Sequence, residues 1–249
     1  MQGNNEHRAE AQKVLVIGGT GKTGRRVADR LIALGVDTRA VSRSTSPAFD
    51  WHDESTWTDA LAGVTAAYIT FAPDLAVPGA TDRIQAFVSA AAAAGVQRLV
   101  LLSGRGEDEA QACERIVQAQ DIDWTVVRSA WFMQNFSEGE FAGLVRQGLL
   151  SLPAAEVAEP FIDINDIADV VVAALTEPGH AHEIYEVTGP RLLRFAEVAE
   201  ELTRLTGREI RFQPVAADEF DAALARAGLP DDLRWLLPYL FTTVLDGRN

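Results

Sequence analysis

An apolar run that stops at glycines and restarts as a helix is compatible with few folds. Residues 13–24 read KVLVIGGTGKTG. Val14–Ile17 suit a buried strand, and Gly18, Gly21 and Gly24 then recur ahead of a helical pattern in Arg25–Leu34. A strand that enters a glycine turn and opens a helix builds an anion site. The turn lets backbone N–H groups approach a phosphate, and the helix N-terminus adds partial positive charge. The spacing is G-x-x-G-x-x-G, not the commoner G-x-G-x-x-G. Its place between strand and helix favours a nucleotide-binding loop over a ligand-free turn.

The rest of the chain repeats the rhythm. Strands are expected at Lys13–Ile17, Val36–Ser42, Ala66–Phe71, Arg98–Ser103 and Trp124–Arg128. Helices are expected between them at Thr23–Leu34, Ser55–Ala62, Ala80–Ala94 and Asp108–Gln120, with Gly35 and Gly95 as helix stops. Alternation of this kind predicts an α/β fold, a Rossmann-like doubly wound parallel sheet with helices on both faces. After Arg128 the pattern changes. Trp131–Gly148 reads as partly helical, Leu149–Pro160 as irregular, and Asp163–Leu175 as a helix with Asp166 as N-cap. A strand follows at His182–Val187, a helix at Phe195–Thr206 ending at Gly207, and a strand at Glu209–Val215. Helical stretches at Asp218–Ala227 and Asp231–Leu245 complete the pattern. The expected organisation is a loose tail over 1–12, a nucleotide-binding core over 13–130, and a small substrate lobe over 131–249 interleaved with the core.

Composition excludes several classes. The 249 residues carry 22 basic and 36 acidic side chains, a net charge of −14, which disfavours direct nucleic-acid binding. A local basic spot remains at Arg39–Arg43. The single cysteine, Cys113, excludes an intramolecular disulfide and reads as a packing residue, in keeping with a reducing cytoplasm. No apolar run approaches the roughly 18 residues of a membrane span. The histidines show no metal-ligand spacing, so no metal is expected. The sequence does not speak to oligomeric state.

The end of the second strand selects the nucleotide. Counting about 20 residues from the first glycine lands near Asp37, the position of a ribose-binding acid. Asp37, however, starts that strand, and ligands bind at strand C-terminal ends. The residues there are Ser42, Arg43 and Ser44, and a guanidinium beside hydroxyls suits a phosphate dianion. NADP(H) is therefore expected ahead of NAD(H), with Lys22 and Arg25 as further sources of positive charge.

A short-chain dehydrogenase of the usual kind uses a tyrosine acid with a lysine one helical turn further on. The lysines here are Lys13 and Lys22, both beside the glycine loop, and none of Tyr68, Tyr185 and Tyr239 has one at that spacing. Ser103, at a strand end, is the candidate hydrogen-bond donor to substrate or cofactor, with turn formation as its alternative role. Glu107, Asp108 and Glu109 read as a solvated helix start, and Glu114 follows on the same segment. Trp131 and Phe132 read as core aromatics.

With these residues in view, the chain resembles the NmrA-like branch of atypical short-chain dehydrogenases/reductases. Within that branch it is most similar to reductases of ergot-alkaloid type (festuclavine dehydrogenase-like) and their bacterial relatives. The matching text is VIGGTGKTGRRVADRL, AVSRSTSPAFDWHDESTW, RLVLLSGRGEDEA, WTVVRSAWFMQNFSEG, PFIDINDIADV and YEVTGP. The resemblance implies a core that binds NADP(H) through Gly18, Thr20, Gly21, Lys22, Thr23 and Gly24, with Arg43 on the 2′-phosphate. It implies Asp50 at the end of a short strand near adenine, and Phe71, Ala72 and Pro73 along the cofactor. It sets Trp131, Phe132 and Asn135 beside the nicotinamide and substrate pocket. Ser129 stands where the family usually has proline, and many members continue beyond the position of Asn249.

The function expected is NADPH-dependent hydride transfer to a hydrophobic, electron-poor small molecule (an iminium, quinone or enone) without a Tyr–Lys pair. Ser103, Trp131 and Phe132 would line the reacting centre. An iminium already carries positive charge, so orientation and electrostatics suffice for its reduction. The alternatives on the same fold are a non-enzymatic NADP(H)-binding redox sensor and a non-redox isomerase or cyclase.

Overall fold

The computed structural model describes residues 12–154 and 156–245. The tail expected over 1–12 lies outside the described residues apart from Gln12, whose Nε2 donates to the Leu175 carbonyl at 2.7 Å. The first half alternates as the pattern demands: β1 (Lys13–Ile17), α1 (Lys22–Ala33), β2 (Asp37–Val41), α2 (Trp57–Leu61), β3 (Ala66–Ile69), α3 (Ala80–Ala93), β4 (Arg98–Gly104), α4 (Asp108–Gln118) and β5 (Asp123–Ser129). The second half supplies a 3₁₀ turn at Met133–Phe136, then α5 (Ala142–Gln147), β6 (Leu149–Leu152), β7 (Ala158–Glu159), α6 (Ile164–Thr176) and β8 (Glu183–Val187). It continues with β9 (Leu193–Arg194), α7 (Phe195–Thr206), β10 (Arg211–Pro214), α8 (Ala217–Arg226) and α9 (Asp231–Tyr239), which runs into a π turn at Leu240–Val244.

Six parallel strands form the central sheet in the order β2-β1-β3-β4-β5-β8. Both faces are buried, which is why the strands read as unbroken apolar runs. In β1, Val14 and Val16 face a core built with α1 and α6, while Leu15 and Ile17 face one built with α3 and α4. Cys113 is buried in the second of these, and burial pushes its thiol up to about 12. The α6 helix and β8 thus come from the second half of the chain but complete the core. The lobe holds a third cluster, rich in phenylalanine, around Phe195 and Phe241.

Several local expectations are corrected. Leu149–Pro160 is not irregular throughout: β6 pairs in parallel with β10, and β7 pairs antiparallel with β9. Both partners lie far along the chain, so no local periodicity announces them. The N-cap of α6 is Asp163, not Asp166, because the Asp163 carboxylate accepts from the Asn165 backbone N–H at 2.8 Å. No strand ends at Asp50; it forms an isolated bridge with Asp53 in a tight turn. The basic spot also divides. Arg39 donates to the carbonyls of Asp59, Ala60 and Ala62 around the C-terminal end of α2, leaving Arg43 apart from it.

The three glycines of the loop have different tasks. Gly18 has φ +68°, the left-handed region that favours glycine. Gly21 is the N-cap of α1 in an extended conformation. Gly24 is buried inside α1, and a Cβ there would overlap the Gly18 carbonyl. Alanine gains about 1 kcal/mol over glycine in helix propensity, but the clash is with backbone that cannot swing aside. Gly24→Ala is therefore expected to lower stability by about 1–3 kcal/mol in chemical denaturation. A variant as stable as the wild type would show that α1 can move off the loop.

Candidate functional site

The strand order turns back between β1 and β3, and a crevice opens beyond the C-terminal ends of strands at such a point. A cleft of about 670 Å³ lies there. One wall is the glycine loop. A second is formed by the segments after β3 and β4, and the lobe closes the far side.

Gly18, Thr20, Gly21, Lys22 and Thr23 border the cleft. The N-cap of α1 is Gly21, which has no side chain to cap the helix. Its first-turn N–H groups have no carbonyl partner within the helix, which leaves an anion-binding end exposed at the cleft. Gly24 does not border it; its role is the close packing described above. Beyond the loop stands Arg43, exposed at the cleft and tied by no hydrogen bond or ion pair to another described residue. Beside it, the Ser42 and Ser44 hydroxyls are 3.1 Å apart. Asp37 sits at the opposite end of β2 in an ion pair with Lys13 at 3.2 Å, away from any ligand position. Asp50 borders the cleft, its Oδ1 accepting from the His52 backbone N–H at 2.9 Å. Phe71, Ala72 and Pro73 follow β3 along the floor, with Phe71 packed on Trp51 at 4.9 Å between ring centroids.

The expected extra cations have partners. Lys22 does not point into solvent: its Nζ donates to Asn135 Oδ1 at 2.8 Å and lies 5.8 Å from the Phe132 ring centroid. Burial lowers its pKa, against the raising influence of Glu140 and Glu138. Arg25 and Arg26 both bind Glu138 of the lobe, the latter at 2.7 Å. These contacts bolt the glycine loop to the lobe.

Trp131 and Phe132 both border the cleft and both root in cores. Trp131 packs on Phe241 at 5.0 Å and Phe195 at 5.8 Å, and Phe132 packs against the sheet core. Ser103 borders the cleft but is buried, and its Oγ donates to Glu114 Oε1 at 2.6 Å. Its proton is thus directed into the protein rather than toward a ligand. Glu114 is buried as well, and Arg128 neutralises it through Nη2 at 2.6 Å and Nε at 2.9 Å.

Other features escaped the sequence reading. Glu107 is not part of a solvated helix start: it is buried and borders the cleft together with Asp74. Leu233, Leu236, Leu237 and Leu240, from α9 and the turn after it, cover the far side. The helical stretch expected at Asp231–Leu245 contains them, but local pattern does not say what that stretch covers. No tyrosine borders the cleft among the described residues.

Fold and cleft together define a Rossmann-like α/β protein with a glycine loop at its switch point. The chain belongs to the NmrA-like family, matching it over residues 10–242. It is 33% identical over 242 residues to an agroclavine dehydrogenase of Claviceps fusiformis, covering 88% of this chain and 82% of that protein. It is 31% identical over 250 residues to an NAD(P)H azoreductase of Xenophilus azovorans, covering 88% and 83%. Among solved structures it resembles an NADPH-dependent quinone oxidoreductase of Escherichia coli complexed with NADPH, with TM-score 0.79, 24% identity and coverage of 94% and 89%. No described helix is long and apolar enough to cross a membrane.

Two outcomes follow from the buried acids. Arg128→Ala leaves Glu114 buried without its counter-ion, so unfolding titrations should show a loss on the order of 3 kcal/mol; a loss no larger than that of a surface arginine would show that the Ser103 hydroxyl and entering water suffice for Glu114. Glu159, near Trp131, is pushed up to about 7 by burial, against the lowering influence of the Trp131 backbone and the charge of Arg105, and no hydrogen bond from the described residues satisfies either carboxyl oxygen. The folded form then holds a proton that the unfolded chain gives up at the ordinary glutamate value. Stability should fall as pH rises from that value through about 7 and stay low above it. Glu159→Gln should remove this fall, as read by melting temperature across that range. An unchanged slope would assign it to another group.

Proposed function

We propose that this chain is an NADP(H)-dependent oxidoreductase acting on a hydrophobic, electron-poor small molecule such as an iminium, quinone or enone. The observation that carries the reading is Arg43: a guanidinium on the cleft with no partner among the described residues, at the strand end beyond a helix N-terminus whose N-cap glycine offers no side-chain cap. That pairing suits a dinucleotide with a phosphate on its ribose, because the helix end takes the pyrophosphate and arginine takes a second dianion. The names of the similar proteins, a dehydrogenase and an azoreductase, support redox chemistry.

The bound cofactor supplies the hydride. The chain's own residues hold and orient. The glycine loop lets backbone approach phosphate. Lys22, bonded to Asn135, keeps the loop against the lobe. Trp131 and Phe132 form an aromatic wall that excludes water and presses a flat substrate toward the floor of Phe71, Ala72 and Pro73. Ser103 belongs to this wall, its hydroxyl held by Glu114.

Removing a charge-assisted bond to a phosphate costs on the order of 1.5–3 kcal/mol. Arg43→Ala should weaken NADPH binding by roughly tenfold or more and leave NADH binding nearly unchanged in fluorescence titrations. Equal loss for both cofactors overturns the 2′-phosphate assignment. Turnover is read as loss of reduced-nicotinamide absorbance against a panel of iminium, quinone and enone compounds. Trp131→Ala should raise KM or abolish turnover while NADPH still binds. Tight NADPH binding with no oxidation by any compound would favour a redox sensor instead.

A further inference from the structure

Glu107 occupies the N-cap position of α4, yet its side chain caps nothing. It folds back over Gly104, where a Cβ would overlap its carboxyl. The residue is 6% exposed, and no N–H or O–H donor among the described residues reaches its Oε2. Asp74, on the segment after β3, meets it there, its Oδ1 also accepting from the Ala76 backbone N–H at 2.8 Å. The two side chains hydrogen-bond to each other. Ionised carboxylates only accept, so this bond requires a proton between them. Like charges in such contact cannot both ionise, and the pair retains a proton where a solvated acid would lose it. Both residues border the cleft at the strand ends that face the proposed nicotinamide position.

The geometry points to the Asp74–Glu107 pair as the proton donor of the reaction, for substrates whose reduction leaves negative charge on oxygen or nitrogen. This rests on the reductase reading above. Two other donors are not available: no tyrosine borders the cleft among the described residues, and the Ser103 proton is directed to Glu114. For an enone the steps balance. The β-carbon receives hydride from the reduced nicotinamide, and the C=C electron pair moves through the α-carbon onto oxygen as the carbonyl becomes an enolate. The shared proton then moves from the carboxyl pair to that enolate. The pair, left doubly negative, regains a proton from water at the cleft mouth. An iminium carbon takes hydride and becomes a neutral amine, with no proton needed.

The surroundings favour retention of the proton. Burial comes first in raising Glu107 well above the usual carboxyl range, followed by Asp74, Glu109 and Glu114. From α4, Asp108 and Glu109 add negative charge and Cys113 is held as a thiol, while Glu114 is balanced by Arg128. From α9, Tyr239 hydrogen-bonds to Glu109. Arg105, two residues before Glu107, pairs with Glu186 at 3.1 Å.

The test compares Glu107→Gln and Asp74→Asn with the wild type on a cyclic enone and on a preformed cyclic iminium, after NADPH binding and folding are checked by titration and melting. General-acid loss predicts that kcat on the enone falls on the order of a hundredfold more than on the iminium. Wild-type kcat on the enone should also decline with rising pH, with an ionisation above the ordinary carboxyl range that the iminium reaction lacks. Independently of turnover, infrared spectra of the wild type at neutral pH should show a protonated-carboxyl C=O band that Glu107→Gln loses. Should Glu107→Gln fail to fold, Asp74→Asn carries the same expectation. Equal losses on both substrates, no loss on the enone, or a protonated-carboxyl spectrum that Glu107→Gln leaves unchanged overturns the assignment alone. A wild type that binds NADPH but oxidises it with neither substrate overturns the reductase reading and this assignment together.

Discussion

The cleft exists because α1 approaches the end of β1 so closely that no side chain fits between them. A Cβ on Gly24 would overlap the Gly18 carbonyl, and one on Gly19 would come within 2.7 Å of Ala40 Cβ. This contact aims the N-terminus of α1 at the crevice where the strand order turns back. It also holds the loop against β2, through the Gly19 N–H to the Val41 carbonyl at 2.9 Å. Arg43 then falls at the far end of that wall by virtue of β1–β2 register alone, since Ile17 lies opposite Val41.

Charge around the cleft is sorted by pairing. The chain is acidic overall, yet most arginines near the site are engaged. Arg25 and Arg26 hold Glu138, Arg39 holds the end of α2, and Arg128 holds Glu114. Of these acids only Glu114 is fully buried, so removing Arg128 would strand its charge in low dielectric, whereas Glu138 stays open to water. What remains available at the cleft is a phosphate-type contact at one end and a protonated carboxyl pair along the floor. The two ends therefore suit different tasks, one holding an anion and the other keeping a proton that a solvated acid would lose.

Much of the fold was legible locally. The apolar runs, the glycine stops and the alternation of strand and helix are short-range signals, and the first nine elements lie close to where periodicity put them. Legibility failed where structure depends on a distant partner. The β6 strand pairs with β10, more than fifty residues on, and a four-residue strand has no period of its own to read. Ser103 shows the same limit in the site. Its position at a strand end was readable, but the direction of its hydroxyl was set by Glu114 on the next helix.

The sequence by itself determined the parallel sheet, the glycine turn between β1 and α1, and the placement of Arg43 rather than Asp37 at the C-terminal end of β2, because each follows from residue type and position relative to one strand end. Only the tertiary structure decided that Glu107, written in a run of acids before a helix, turns inward over Gly104 to meet Asp74 rather than facing water. A run of acids looks the same in sequence whether solvated or buried. Burial, and with it the protonation state, depends on what other segments pack across it, and those contacts exist only once the sheet has closed.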